Sequence, residues 1–274
     1  MNRRVALFWV GSLATAVALS GCSDLSSAQQ VSISTSPSVM ADASASPAVA
    51  SAEDVTTAMA SSEETASAAL ADLPVKGRAP KTGYTRAQFG KAWTDANSAL
   101  WGGDSLSTRE NILSRDLTNI VCKVSRSAPI LPPCVVQSGV LTDPYTGGVF
   151  KFVRGQQSSQ LFPIDHVVAL GDAWQKGAQQ ITAEQRVNLA NDPLNLIATT
   201  RAPNSAKNDS DAASWLMPNK RFRCAYVARQ IAVKGKYHLW VTQAEKEAME
   251  RVLAQCPDEP VATTAEASQR TVSP

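Results

Sequence analysis

The chain has 274 residues and a net charge of +2, from 26 Lys plus Arg against 24 Asp plus Glu, a balance that by itself excludes no class of partner. Its two histidines are His166 and His238, which excludes a centre built from several imidazoles. The charge is unevenly placed: residues 83–256 carry +6 and residues 23–82 carry −4, and the basic stretch has the size of one folded domain.

In chain order, Arg3 and Arg4 precede an apolar run from Val5 to Leu19. These are the charged and apolar regions of a secretory signal, too short for a spanning helix. Leu19, Ser20, Gly21 and Cys22 follow and resemble the lipobox of bacterial lipoproteins, in which the cysteine becomes the lipidated first residue. The plainer alternative is a cleaved signal that ends near a cysteine. The lipobox implies export and a lipid anchor on the outer face of a bacterial cell membrane. Lipidation of Cys22 leaves Cys122, Cys134, Cys224 and Cys256, an even count free to oxidise outside the cytoplasm. None of them forms a C-x-x-C, so two disulfides are expected in place of a zinc knuckle. Three connectivities are open, and order along the chain favours Cys122 with Cys134 and Cys224 with Cys256.

Residues 23–82 are dominated by Ala, Ser, Thr and Val, and up to Pro80 they contain no aromatic residue. Such a stretch buries too little apolar surface to offset ordering entropy and reads as a disordered tether. The tail, 257–274, reads the same way. Between them, capping boxes open four helices: Thr85 with Gln88, Ser107 with Glu110, Thr182 with Gln185 and Thr242 with Glu245. A fifth helix is expected from about Asn219 to Lys234. Cys134 to Leu141 and Val149 to Val153, separated by the turn residues 142–148, predict a hairpin, and Ile164 to Leu170 predicts a further extended run. The fold class is α+β, a small antiparallel sheet with helices.

The chemistry concentrates after the hairpin. Asp165 and His166 open the extended run, Asn195 stands in N-L-I-A, and Asn204 follows nine residues later in N-S-A-K-N-D. With D-P-Y-T-G at 143–147 and D-H-V-V-A-L-G-D-A-W at 165–174, the region 83–256 resembles the HNH endonuclease superfamily. It is similar to exported actinobacterial HNH proteins and to the C-terminal nuclease domain of GmrSD-type restriction enzymes. The resemblance implies two short strands and a helix around one divalent metal, a ββα-metal site. His166 becomes the general base, Asn195 the residue that holds it through backbone or ring, and Asp165 and Asn204 the metal ligands. Hard oxygen donors fit Mg²⁺ or Mn²⁺ better than Zn²⁺. The C-x-x-C pairs that hold a structural zinc in many HNH proteins are replaced here by Thr200 and Pro203. Lys207 has two readings, a phosphate contact one turn beyond Asn204 or an exposed helix lysine.

The substrate expectation is electrostatic. No acid occurs from Ala212 to Ala244, where Lys220, Arg221, Arg223, Arg229, Lys234 and Lys236 lie. A phosphate backbone would be drawn to such a patch, with Arg154 as a further contact. The sequence therefore predicts an exported endonuclease acting on DNA, with RNA left open, and with little sequence specificity. The alternative is a non-catalytic surface lipoprotein that uses the same basic face to bind DNA or envelope polymers.

Overall fold

The computed structural model describes residues 64–123 and 134–269, all within one compact unit, Met59–Pro274. The signal, Cys22 and the first part of the tether lie outside the described residues. Three strands, β1 (Leu117–Cys122), β2 (Val136–Thr142) and β3 (Val149–Val153), form an antiparallel sheet in the order β1-β2-β3. The predicted hairpin is β2–β3, and β1 was not anticipated. Gly139 of β2 permits the close pairing with β1, because a Cβ there would lie 2.9 Å from Leu117 Cδ2 and 3.1 Å from the Thr118 carbonyl.

A second, two-stranded ribbon pairs β4 (Ile164–His166) with β5 (Leu196–Ala198), in the register Ile164 with Ala198, Asp165 with Ile197 and His166 with Leu196. The extended run expected to reach Leu170 stops at His166. Val167 N–H donates to the Asn195 carbonyl and Val168 N–H to the Asn195 side chain, both at 2.8 Å, so one asparagine takes over the ladder and turns the chain into a helix at Leu170.

The helices are α1 (Ala66–Asp72), α2 (Thr108–Asp116), α3 (Gln156–Leu161), α4 (Leu170–Ala173), α5 (Ala183–Asn191), α6 (Arg201–Lys207), α7 (Arg223–Lys236), α8 (Gln243–Leu253) and α9 (Thr264–Ser268). The capping boxes before α5 and α8 are complete, and Ser107 caps α2. The box expected at Thr85 does not form: Thr85 makes no side-chain cap bond and precedes a single 3-10 turn, Arg86–Phe89, which ends at Gly90 with φ 79°. Both expected disulfides are present, Cys122–Cys134 and Cys224–Cys256.

Residues 64–82 differ from the expected tether. Ala66 and Leu70 of α1, with Leu73 just beyond its end, are buried against the core of Tyr226, Ile231 and Met249. Composition averaged over sixty residues hides this stripe, and the ready-made core supplies the burial that the segment lacks alone. The tail also departs from expectation. Ala66 N–H donates to the Glu259 carbonyl and Val261 N–H to the Glu64 carbonyl, both at 2.8 Å, and α9 follows with its own capping box.

Beneath this N-terminal strap lies a buried ionic cluster. Lys176 Nζ lies 2.7 Å from Asp172, 2.7 Å from Asp211 and 2.6 Å from Glu245. Lys234 Nζ lies 3.0 Å from Glu245, and Arg78 of the strap reaches Asp211 and, at 3.4 Å, Asp172. Three carboxylates thus face three cations, and a buried charge persists only when paired in this way. Burial pushes the Asp211 carboxyl up, yet the Lys176 hydrogen bond and charge, with Ser214 and Arg78, bring it down to about 2.

Candidate active site

The β4–β5 ribbon and α6 bring Asp165, His166 and Asn204 around one polar cavity of about 210 Å³, which Arg86 and Asp209 also line. His166 is buried. Its ring stacks on Trp93, with centroids 5.5 Å apart and planes 11° apart. Its Nε2 lies 3.0 Å from the Ala190 carbonyl oxygen. A carbonyl only accepts, so Nε2 carries the proton and Nδ1 holds the free lone pair. Burial, together with the charges of Arg86 and Lys207, lowers the His166 pKa from 6.5 to about 3 against the opposing pull of the Ala190 carbonyl. The ring is therefore neutral near pH 7, with the Nδ1 lone pair free to accept a hydrogen bond.

Asn195 is fully buried, and its side-chain hydrogen bonds go to backbone groups and not to the ring. Its side chain accepts from Val168 N–H at 2.8 Å and donates to the Leu189 carbonyl at 3.1 Å. It therefore ties the chain just after His166 to the end of α5, where Ala190 holds the imidazole.

Asp165 accepts a 2.6 Å hydrogen bond from Tyr145 Oη. Lys207 Nζ lies 3.1 Å from Asp165 Oδ2 and 2.7 Å from the His166 carbonyl. Neither sequence reading of Lys207 holds, because its side chain is completely buried and all its reach is spent on β4. It braces the site from behind. Tyr145 comes from the turn between β2 and β3, and Asp143 of the same turn accepts from the hydroxyls of Thr199 at 2.7 Å and Thr200 at 2.6 Å, just before α6. This hairpin turn thus positions both Asp165 and the start of the helix that carries Asn204.

No trio of His, Cys, Asp or Glu ligand atoms surrounds Asp165 among the described residues; the one such group is Cys224, Cys256 and Glu259, whose cysteines are bonded to each other. The cavity offers two carboxylates, Asp165, shared with Lys207, and Asp209, paired with Lys81, and the side-chain amides of Asn204 and Asn208. That donor set fits a hard divalent cation that keeps most of its water or takes phosphate oxygens.

The basic patch does not form the expected phosphate surface. Lys234 is buried in the ionic cluster, and Lys236 pairs with Asp192 at 2.6 Å. Arg223 donates to the Met217 carbonyl, and Arg229 to the carbonyls of Leu194 and Pro193. Arg154 is clamped on Glu110 and the Val136 carbonyl. Lys220, Arg221 and Lys236 remain exposed, and of these Lys236 is held by Asp192. A run without acids reports net charge, whereas partners distant in sequence decide which cations face water.

The sequence reading missed Arg86 and Trp93 as site residues. Arg86 is exposed, lines the cavity and makes no hydrogen bond or ion pair among the described residues. Both residues lie in a segment read as an ordinary helix, and only their docking beside His166 reveals them. Trp93 sits at φ 55°, an uncommon region for an aromatic residue. Its loop is anchored by Asp95, whose carboxylate accepts from the amides of Gly103, Asp104 and Ser105 at 2.8, 3.1 and 3.0 Å.

The β4–β5 ribbon, with Asp165 and His166 on β4, followed by α6 with Asn204, belongs to an α+β domain whose small antiparallel sheets and helices are consistent with an HNH-like fold. Residues 107–252 match the family model described as GmrSD restriction endonucleases, C-terminal domain. The chain belongs to this family of nuclease domains. It is also 35% identical over 193 residues to an "Uncharacterized secreted protein" of Arthroderma benhamiae (strain ATCC MYA-4681 / CBS 112371), covering 70% of this chain and 84% of that protein. No solved structure matches.

Proposed function

We propose that this protein is a metal-dependent endonuclease that hydrolyses phosphodiester bonds of DNA, and of RNA where the strand fits, with little sequence specificity. The observation that carries this reading is the imidazole of His166, neutral and oriented by the Ala190 carbonyl beside the Asp165–Asn204 cavity. His166 Nδ1 accepts a proton from a water attacking phosphorus. Asn195 keeps the two ends of the loop around the ring in register. Asp165 and Asn204 would hold one Mg²⁺ or Mn²⁺, which when bound supplies positive charge to the phosphate and leaving oxygen. Arg86, which lines the cavity and has no ion-pair partner among the described residues, takes the phosphate-contact role first assigned to Lys207 and the basic helix.

Export is supported by the signal-like N-terminus, the two disulfides and the relative described as secreted. The lipid anchor at Cys22 belongs to the same proposal. The test is nicking of supercoiled plasmid by the purified full chain in EDTA, Mg²⁺ or Mn²⁺, comparing wild type with His166→Ala. Nicking that requires metal and disappears in the variant is expected. Undiminished nicking by His166→Ala would remove His166 from the role of base. An intact plasmid under every metal, with binding retained, would instead favour a non-catalytic DNA-binding protein.

A further inference from the structure

A second cavity of about 190 Å³ lies beside the first, and His166, Arg86 and Leu170 line both. Its walls include Phe89, Trp93 and Ala190, while Arg86 and Lys91 stand at it as exposed cations without partners among the described residues. Apolar walls beside unpaired cations, continuous with a site that handles phosphodiesters, suit one guest: a nucleobase whose own phosphate lies at His166. The volume is below the roughly 300–1,000 Å³ that takes a drug-sized ligand, which limits the guest to one ring system.

We propose that this cavity is a nucleobase subsite for the nucleotide flanking the scissile phosphate, so that the preferred substrate is an unpaired nucleic-acid strand. The inference rests on the nuclease reading above. A base stacked within a duplex enters such a recess only after unpairing, which costs a few kcal/mol and falls away for a single strand. The arrangement is built by residues 86–93, which lie before the family-matched region 107–252. The strained Trp93 and the Asp95-anchored loop hold one wall of the recess against His166. Supercoiled plasmid, with its tendency to expose unpaired segments, would still be nicked.

The test is fluorescence anisotropy with the full chain in EDTA, using three labelled probes of equal phosphate count. They are an oligothymidylate, the same strand made wholly of abasic sites, and a duplex. The oligothymidylate is expected to bind at least roughly fivefold more tightly than the abasic strand. Ala92→Phe, which fills the recess from an exposed position, is expected to bring that ratio toward one. A wild-type ratio near one, or tighter binding of the duplex, overturns the subsite. Cleavage in Mg²⁺ or Mn²⁺ separates the two readings. If base-dependent binding persists without any cleavage, the nuclease reading fails and the subsite stands. Equal cutting of all three probes upholds the nuclease and removes the subsite.

Discussion

Lys207→Met decides between a structural brace and a phosphate contact. The ammonium is completely buried, 3.1 Å from Asp165 Oδ2 and 2.7 Å from the His166 carbonyl. Its removal leaves the Asp165 carboxylate, whose side chain is 9% exposed, with the Tyr145 hydroxyl as its remaining hydrogen-bond partner among the described residues. Breaking a buried pair on one side costs about 3–5 kcal/mol, because the surviving charge loses compensation. For a domain of this size, that lowers Tm by about 6–20 °C. Thermal unfolding followed by circular dichroism, with plasmid nicking measured well below Tm, gives both readouts. The double variant Asp165→Asn, Lys207→Met should recover part of the lost stability, since no buried charge remains. An unchanged Tm in Lys207→Met with nicking abolished would refute the brace and restore the phosphate contact.

Two further outcomes follow from the same geometry. The folded pKa of His166, about 3, is depressed below its unfolded value of 6.5, so the unfolded chain binds a proton first as pH falls. Its contribution to stability is full above pH 6.5 and is lost between there and about 3, at up to about 1.4 kcal/mol per pH unit. Urea unfolding in EDTA from pH 8 to pH 4 should show a steeper acid loss for wild type than for His166→Asn; parallel curves would contradict the neutral buried ring. Arg78→Ala should destabilise the domain by about 1–3 kcal/mol, since its guanidinium is a third exposed and compensates the Asp172 and Asp211 carboxylates only in part. The same variant should speed proteolysis before Leu73, and equal cleavage rates would show that the strap is held by α1 alone.

The elements with purely local causes were legible. Thr182–Gln185 and Thr242–Glu245 each satisfy a helix start within four residues, and both helices begin where those boxes stand. The hairpin was equally readable, because the turn residues Asp143 to Gly148 separate two β-branched runs. The Asp-His pair and the two asparagines were singled out by their resemblance to the HNH superfamily, and the ribbon and α6 gather Asp165, His166 and Asn204 at one cavity.

Charge was where local reading failed. Lys234 and Arg229 look like surface cations in a basic stretch, and Lys207 like an exposed helix lysine, yet their partners are Glu245, the Leu194 carbonyl and Asp165, brought to them by other elements of the fold. The strap failed for the opposite reason, since α1 has only a thin apolar face and needs a core assembled from α7 and α8 before it can bury it. Sequence by itself determined several helix starts, the hairpin and the disulfide candidates, because caps and turns act over a few neighbours, while the residues proposed for the site came from resemblance to the HNH superfamily. Tertiary structure alone decided which nitrogen of His166 is free, which cations are spent inside the fold and that Arg86 and Trp93 stand at the site. Those depend on desolvation and pairing between segments that meet only when the chain is folded.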